Sequence, residues 1–184
     1  MISRYRIRKQ PILIIYASVT GNSASYAYDL GAILSSSCNV TFFDACGVNA
    51  SKDGKVLSLI ESSTLTIFVS STQGNGELPS LARKFFTFLF YDNGHVLTGK
   101  QVAVLGKLLG VIIFDTRTVA HNSPLSLDVY VPGFGSSAYP IFCGGAAEIS
   151  RQLSASRAKE VVSRRECDAV KVVVFSVVPS MLIG

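Results

Sequence analysis

Apolar positions along the first hundred residues come in short blocks whose period changes from block to block. Residues 12–16, I-L-I-I-Y, form an unbroken aliphatic run of the kind a strand buried on both faces requires. From 23 to 34 the pattern becomes helical. Ala24, Ala27, Tyr28, Gly31 and Leu34 fall on one face, and the small residues among them would let a helix lie close to a sheet. Residues 40–43 predict a second strand, 56–60 a short helix and 65–69 a third strand. Leu81, Phe85, Phe88 and Leu89 follow at i, i+4, i+7 and i+8 and mark a further helix face. The β-α-β-α-β-α rhythm predicts an α/β fold with a parallel sheet wrapped by helices on both sides, and in the order 2-1-3-4-5 the third strand would sit beside the first.

In such a sheet, ligands bind beyond the carboxyl ends of the strands, where the strand order reverses. The loop after strand one reads Y-A-S-V-T-G-N-S, with hydroxyl or amide side chains at Ser18, Thr20, Asn22 and Ser23 and no charge. Those donors, with the free amides and positive dipole end of the next helix, suit a terminal phosphate ester. No lysine completes a G-x-x-x-x-G-K-[ST] loop and no G-x-G-x-x-G occurs at this turn, which excludes the common nucleotide fingerprints. A plain tight turn with a hydroxyl N-cap is the alternative this stretch leaves open. The loop after strand three, S-S-T-Q-G-N-G-E-L-P, would open onto the same crevice. Its glycines would let backbone approach a flat ring and offer either N–H or C=O to a ring nitrogen.

The whole chain has 184 residues, 48% of them hydrophobic and 16% charged, so it can bury a real core and is not disordered. Its net charge of +5 fits an anionic ligand or acidic partner. With no stripe of arginines interleaved with aromatics, it gives no support to nucleic-acid binding. Cys38, Cys46, Cys143 and Cys167 are scattered without a C-x-x-C, which points to neither zinc nor a disulfide framework and suits a reducing, cytoplasmic setting. No apolar run reaches the ~18 residues of a membrane span. His95 and His121 stand alone in loops and read as surface residues, and no metal site or catalytic acid, base or nucleophile motif is present.

A third stretch, G-F-G-S-S-A-Y-P-I-F-C at 133–143, makes a resemblance specific. With the two loops above, the chain resembles the flavodoxin-like FMN domain of diflavin reductases, and most of all the reductase part of nitric oxide synthases. The similarity runs over about 11–105 and 133–170, and it implies a flavodoxin-like α/β/α fold of three layers with a parallel five-stranded sheet in the order 2-1-3-4-5, whose fourth strand is Q-V-A-V-L at 101–105 and whose last is 160–162. It implies that Ser18, Val19, Thr20, Gly21, Asn22 and Ser23 surround the FMN phosphate. Ser71, Thr72, Gln73, Gly74, Asn75 and Gly76 would follow the ring and ribityl chain. Gly135, Ser136 and Ser137 would line the ring edge, Tyr139 would stack on the flavin, and Phe142 and Cys143 would back the pocket. A buried free cysteine is the simpler reading of Cys143. Asp168, in R-R-E-C-D-A-V, matches the acidic position of a third flavin loop. The resemblance implies that FMN takes electrons from an FAD and NADPH module and passes them to a haem acceptor, both carried by other domains. Calmodulin is a partner in the full-length family. Arg4, Arg6, Arg8 and Lys9, the basic extension at 1–10, lie where the family has the tail of a calmodulin-binding helix, but are too short for that activity.

Three departures qualify the resemblance. Position 73, usually aromatic, is glutamine, so one stacking wall is missing. Residues 106–132 interrupt the join between V-A-V-L and G-F-G-S and read as an insertion, of the kind translated intron would leave, with 111–114 and 128–131 as competing strands. The tail 171–184, K-V-V-V-F-S-V-V-P-S-M-L-I-G, replaces the closing helix of the 11–170 domain, which implies an uncovered sheet face and poor solubility. The readings in play are an electron-carrying FMN domain of a nitric oxide synthase-like enzyme, a free-standing flavodoxin-type carrier, and a flavin-free remnant acting as a binding or regulatory module.

Overall fold

A computed structural model of the chain describes residues 9–52, 54–106, 134–135, 143–161 and 167–168. The order is β1 (Gln10–Ala17), α1 (Asn22–Leu34), β2 (Cys38–Asp44), α2 (Lys55–Ser62), β3 (Leu65–Ser70), α3 (Arg83–Thr87), β4 (Gln101–Gly106), β5 (Phe134–Gly135), α4 (Gly144–Ala155), β6 (Lys159–Glu160) and β7 (Cys167–Asp168). Five strands form one parallel sheet in the order β2-β1-β3-β4-β6, which is the expected 2-1-3-4-5 with β6 as fifth strand. The last strand is shorter than predicted, since β6 covers only two residues. β5 and β7 pair separately, in parallel. The competing strands at 111–114 and 128–131 and the tail 171–184 lie outside the described residues.

Side chains on a strand alternate between its two faces, and the core divides accordingly. Leu13, Ile15 and Phe68 point to the side of α2, α3 and α4, where Val56, Ile60, Phe85, Leu89, Ile149 and Leu153 meet them. Ile12, Ile14, Leu65, Ile67 and Val69 point to α1, against Tyr26, Ala27, Leu30 and Leu34. Each such side chain contributes roughly 1.5–3 kcal/mol by leaving water. The uncovered face expected from the altered C-terminus is not what these strands show. On the α1 side Leu65, Ile67, Val69 and Ala103 are all 5% exposed or less.

Two helix faces differ from the periodicity. In α1 the buried positions are Ser23, Tyr26, Ala27, Leu30, Gly31 and Leu34, while Tyr28 is half exposed. Tyr28 lies across the helix edge instead, its ring 4.9 Å from that of Phe42 and its hydroxyl 3.0 Å from that of Tyr16. Between 80 and 97 the chain is not one helix. A 3₁₀ turn at Ser80–Ala82 leads into α3, a wide π turn follows at Phe88–Asp92, and a second 3₁₀ turn closes at Gly94–Leu97. Each change of pitch rotates the buried face, so Ala82 and Phe86 join Phe85 and Leu89 in the core and Leu81 is left 63% exposed. Lysines close two helix ends. Lys9 Nζ donates to the Ser35 carbonyl at 2.6 Å and Lys100 Nζ to that of Glu61 at 2.5 Å, placing cations at the negative ends of α1 and α2.

Candidate functional site

β1 and β3 are neighbours, with Ala17 opposite Ser70, so the loops at 18–21 and 71–79 leave the sheet side by side at its carboxyl edge. The Ser71 amide donates back to the Ala17 carbonyl at 3.2 Å and ties their roots together. This is the topological switch point, since the chain moves outward from β1 to β2 on one side and from β3 to β4 on the other.

The first loop ends at Gly21, the N-cap of α1, with φ 87° and ψ −21°, a left-handed conformation glycine adopts without steric cost. No side chain caps this helix. The hydroxyl N-cap that the sequence left open is therefore absent, and the first amides of α1 have no partner within the helix. Ser23 is fully buried, and the hydroxyls of Ser18 and Ser23 are enclosed without a hydrogen-bond partner. A buried unpaired hydroxyl is costly, so two in one loop at a helix N-terminus mark where an acceptor belongs. No acidic residue occupies the first turn of α1. Val19, Thr20, Gly21 and Asn22 are exposed around this cradle.

Behind the loop the Ser18 amide donates to the Cys46 thiol, and Asp44 Oδ1 accepts from the Cys46 amide at 2.8 Å. Burial pushes the Cys46 thiol above its ordinary value, against the lowering effect of that amide, so it remains a neutral strut at neutral pH. Burial likewise raises the phenol of Tyr16, with the Tyr28 hydroxyl adding to it. Nothing in the sequence pattern singles out Cys46.

In the second loop the Gln73 amide donates to the Glu77 carbonyl at 2.8 Å, and the Gly76 and Glu77 amides return to the Gln73 carbonyl at 3.2 and 2.9 Å. Gly74 and Gly76 have φ of 48° and 94°. The Gln73 side chain is engaged by the next segment, its Oε1 accepting from the Ser80 amide at 2.8 Å. Glutamine at this position thus holds the start of the 80–97 segment rather than forming a wall. Thr72 Oγ1 accepts from the Gly145 amide at 3.3 Å, which locks the loop to α4. Ser71 is half-buried, Asn75 exposed.

Cys143, a buried residue in the left-handed region (φ 50°), is the N-cap of α4, and Gly144, the first residue of the helix, lies against the second loop. The two glycines opening a helix, where glycine is disfavoured, are the sequence signal for that contact. Gly135 stands opposite Asp168 in the β5–β7 pair, so backbone from two candidate flavin loops meets there. Ser136, Ser137, Tyr139 and Phe142 lie outside the described residues.

An open parallel sheet wound on both faces, with uncapped amides and unpaired hydroxyls at its switch point, defines a doubly wound α/β protein of the class that holds phosphorylated ligands there. The flavodoxin family model matches residues 14–172, and the chain belongs to the flavodoxin family. It is 30% identical over 166 residues to NADPH-dependent diflavin oxidoreductase 1 of Aspergillus fumigatus, covering 88% of this chain and 21% of that protein. To human inducible nitric oxide synthase it is 31% identical over 168 residues, 91% of this chain and 11% of that protein. The chain thus spans about a fifth or less of the curated relatives it matches. Among solved structures, Fusobacterium nucleatum flavodoxin bound to flavin mononucleotide shares the fold at TM-score 0.54 and 17% identity, over 83% of this chain and 69% of that one. Among the described residues no helix is long and apolar enough to cross a membrane.

Proposed function

We propose that the chain is the FMN-binding, electron-transferring part of a nitric oxide synthase-like, NADPH-dependent diflavin oxidoreductase, working in the cytoplasm. The observation that carries this reading is the pair of buried, unpartnered hydroxyls of Ser18 and Ser23 beside the uncapped start of α1. Those hydroxyls and amides would hold a phosphate with neutral donors. Residues 71–76 would lie along the ring system, and the backbone around Gly135 and Asp168 would close its edge. FMN, when bound, supplies a ring able to take up and release electrons one at a time. The protein's share is to bind, orient and partly shield it, and no side chain is needed as acid, base or nucleophile. An FAD and NADPH module as donor and a haem domain as acceptor, with calmodulin as regulator, would come from further parts of a longer protein.

Gln73 favours one alternative, a flavin-free module, because its side chain is engaged by the Ser80 amide and supplies no aromatic wall. Titration with FMN separates the two. Bound FMN is expected to show a perturbed visible spectrum and quenched fluorescence, with riboflavin, which lacks the phosphate, binding at least tenfold more weakly. A chain that ignores saturating FMN, even after excision of 106–132, overturns the flavin reading.

A further inference from the structure

Thr98 lies just ahead of β4 and Arg157 just ahead of β6, so both sit at the amino edge of the sheet, opposite the flavin loops. There a cleft of about 450 Å³, lined by Tyr91, Asp92, His95, Thr98, Ser156 and Arg157 among others, opens between the π turn and the end of α4. Its size is in the range of small-ligand sites.

Arg157 holds an unusual position. It follows the C-cap of α4 with φ 57°, its amide bonded to the Ser154 carbonyl at 3.0 Å and the Ala158 amide to that of Leu153 at 3.0 Å. Glycine normally fills this closing position, because a side chain there is strained. Arginine is present despite the strain, and among the described residues its guanidinium has no hydrogen-bond or ion-pair partner. Strain retained around an unpaired charge in a cleft is a functional signature. The Asp92 and His95 side chains in the same cleft also have no partner among the described residues. The carbonyl end of α4 would repel an anion if bare, but Ser156, Arg157 and Ala158 amides occupy the Gln152, Ser154 and Leu153 carbonyls, and Thr98 Oγ1 that of Ser156. Tyr91 is 70% exposed yet held in place, because its hydroxyl accepts from Gln152 Nε2 at 3.0 Å.

We propose that this cleft is a second ligand site, for a mononucleotide, with Arg157 and His95 taking the phosphate, Asp92 accepting from the ribose hydroxyls and Tyr91 stacking on the base. The arginine fork matches a phosphate, and an exposed aromatic face accepts any base. Asp92 is what a simple anion site would not contain.

The test is calorimetric titration of the full chain with 5′-AMP, with adenosine and inorganic phosphate as separate arms, repeated with saturating FMN present. Saturable 5′-AMP binding that persists with FMN and exceeds both arms is expected. Arg157→Gly should weaken it at least tenfold while raising Tm by about 2–4 °C through relief of strain, and His95→Gln should weaken it without that gain. No binding at millimolar 5′-AMP, displacement by FMN, or insensitivity to both variants overturns the proposal. Inorganic phosphate binding as tightly as 5′-AMP also overturns it, leaving an anion site only.

Discussion

Gly144, the first residue of α4, lies against the backbone of Gly76 so closely that a Cβ on it would stand 2.2 Å from the Gly76 carbonyl oxygen and 2.8 Å from its Cα. The obstacle is backbone, which cannot swing aside as a side-chain tip can. The start of α4 therefore sets the height of the 71–77 loop above the crevice. Gly144→Ala should cost about 1–3 kcal/mol, the usual penalty for overpacking, and should weaken FMN binding by moving the loop. Gly54→Ala provides the contrast. Gly54 has φ −57° and nothing within 4 Å of its added Cβ, so the change should stabilise by about 0.4–1 kcal/mol. Denaturant melts of both variants measure the difference, and equal behaviour would show that the contact does not position the loop.

Ser18 and Ser23 carry opposite expectations with and without ligand. In the free protein their hydroxyls are enclosed and unpaired, so Ser18→Ala and Ser23→Ala should leave the melting temperature unchanged or raise it. With a phosphate to receive, each hydroxyl is a donor, and its loss should weaken FMN affinity by about tenfold, or ~1.4 kcal/mol. Riboflavin affinity should not respond. Variants that lower the melting temperature of the free protein while binding FMN normally would identify these serines as structural.

The sheet order and the placing of the 18–21 and 71–79 loops side by side were legible because short aliphatic runs and glycine turns are local signals that the parallel sheet merely assembles. Tyr28 and Leu81 were misplaced for a different reason. Periodicity assumes constant pitch and treats any apolar residue as core, whereas the 3₁₀ and π turns flanking α3 rotate its face and a tyrosine can lie along a helix edge with its hydroxyl bonded. The Ser18 to Cys46 contact joins two loops whose neighbourhood only the β1–β2 pairing creates, so no sequence window contains it. Gln73 was visible as a departure, but its engagement with the Ser80 amide required the fold.

Glu148 gives the chain a weak acid sensitivity. Arg151 holds it by two hydrogen bonds of 2.9 and 2.6 Å, and Gln152 by one of 2.8 Å, which together keep its carboxyl below the ordinary value of 4.5 despite partial burial. A depressed carboxylate stabilises the fold above the unfolded-state value, and the contribution disappears as pH falls through the lower folded-state value. The Arg151 side chain is 64% exposed and that of Glu148 39%, so solvent screening keeps the stabilisation small. Glu148→Gln should lower stability slightly at pH 7 and match the parent well below pH 4.5. A difference that persists undiminished into strong acid would mean the variant disturbs packing rather than charge.

The rotated face of the 80–97 segment makes a sharper claim about two residues of similar hydrophobicity four positions apart. Phe85 is 1% exposed and its ring lies 5.3 Å from both Phe43 and Phe86, with Phe86 stacked in turn on Phe90 at 5.7 Å. Removing that ring opens a cavity among aromatics anchored on three elements, which cannot close around it, so Phe85→Ala should cost about 3–5 kcal/mol. Leu81, on a face regular helical spacing would bury, is 63% exposed, and Leu81→Ser should stay within about 0.5 kcal/mol of the parent. Urea unfolding of the two variants measures both numbers. A large loss at Leu81 would restore the single regular helix and move the π turn at Phe88–Asp92 out of the fold.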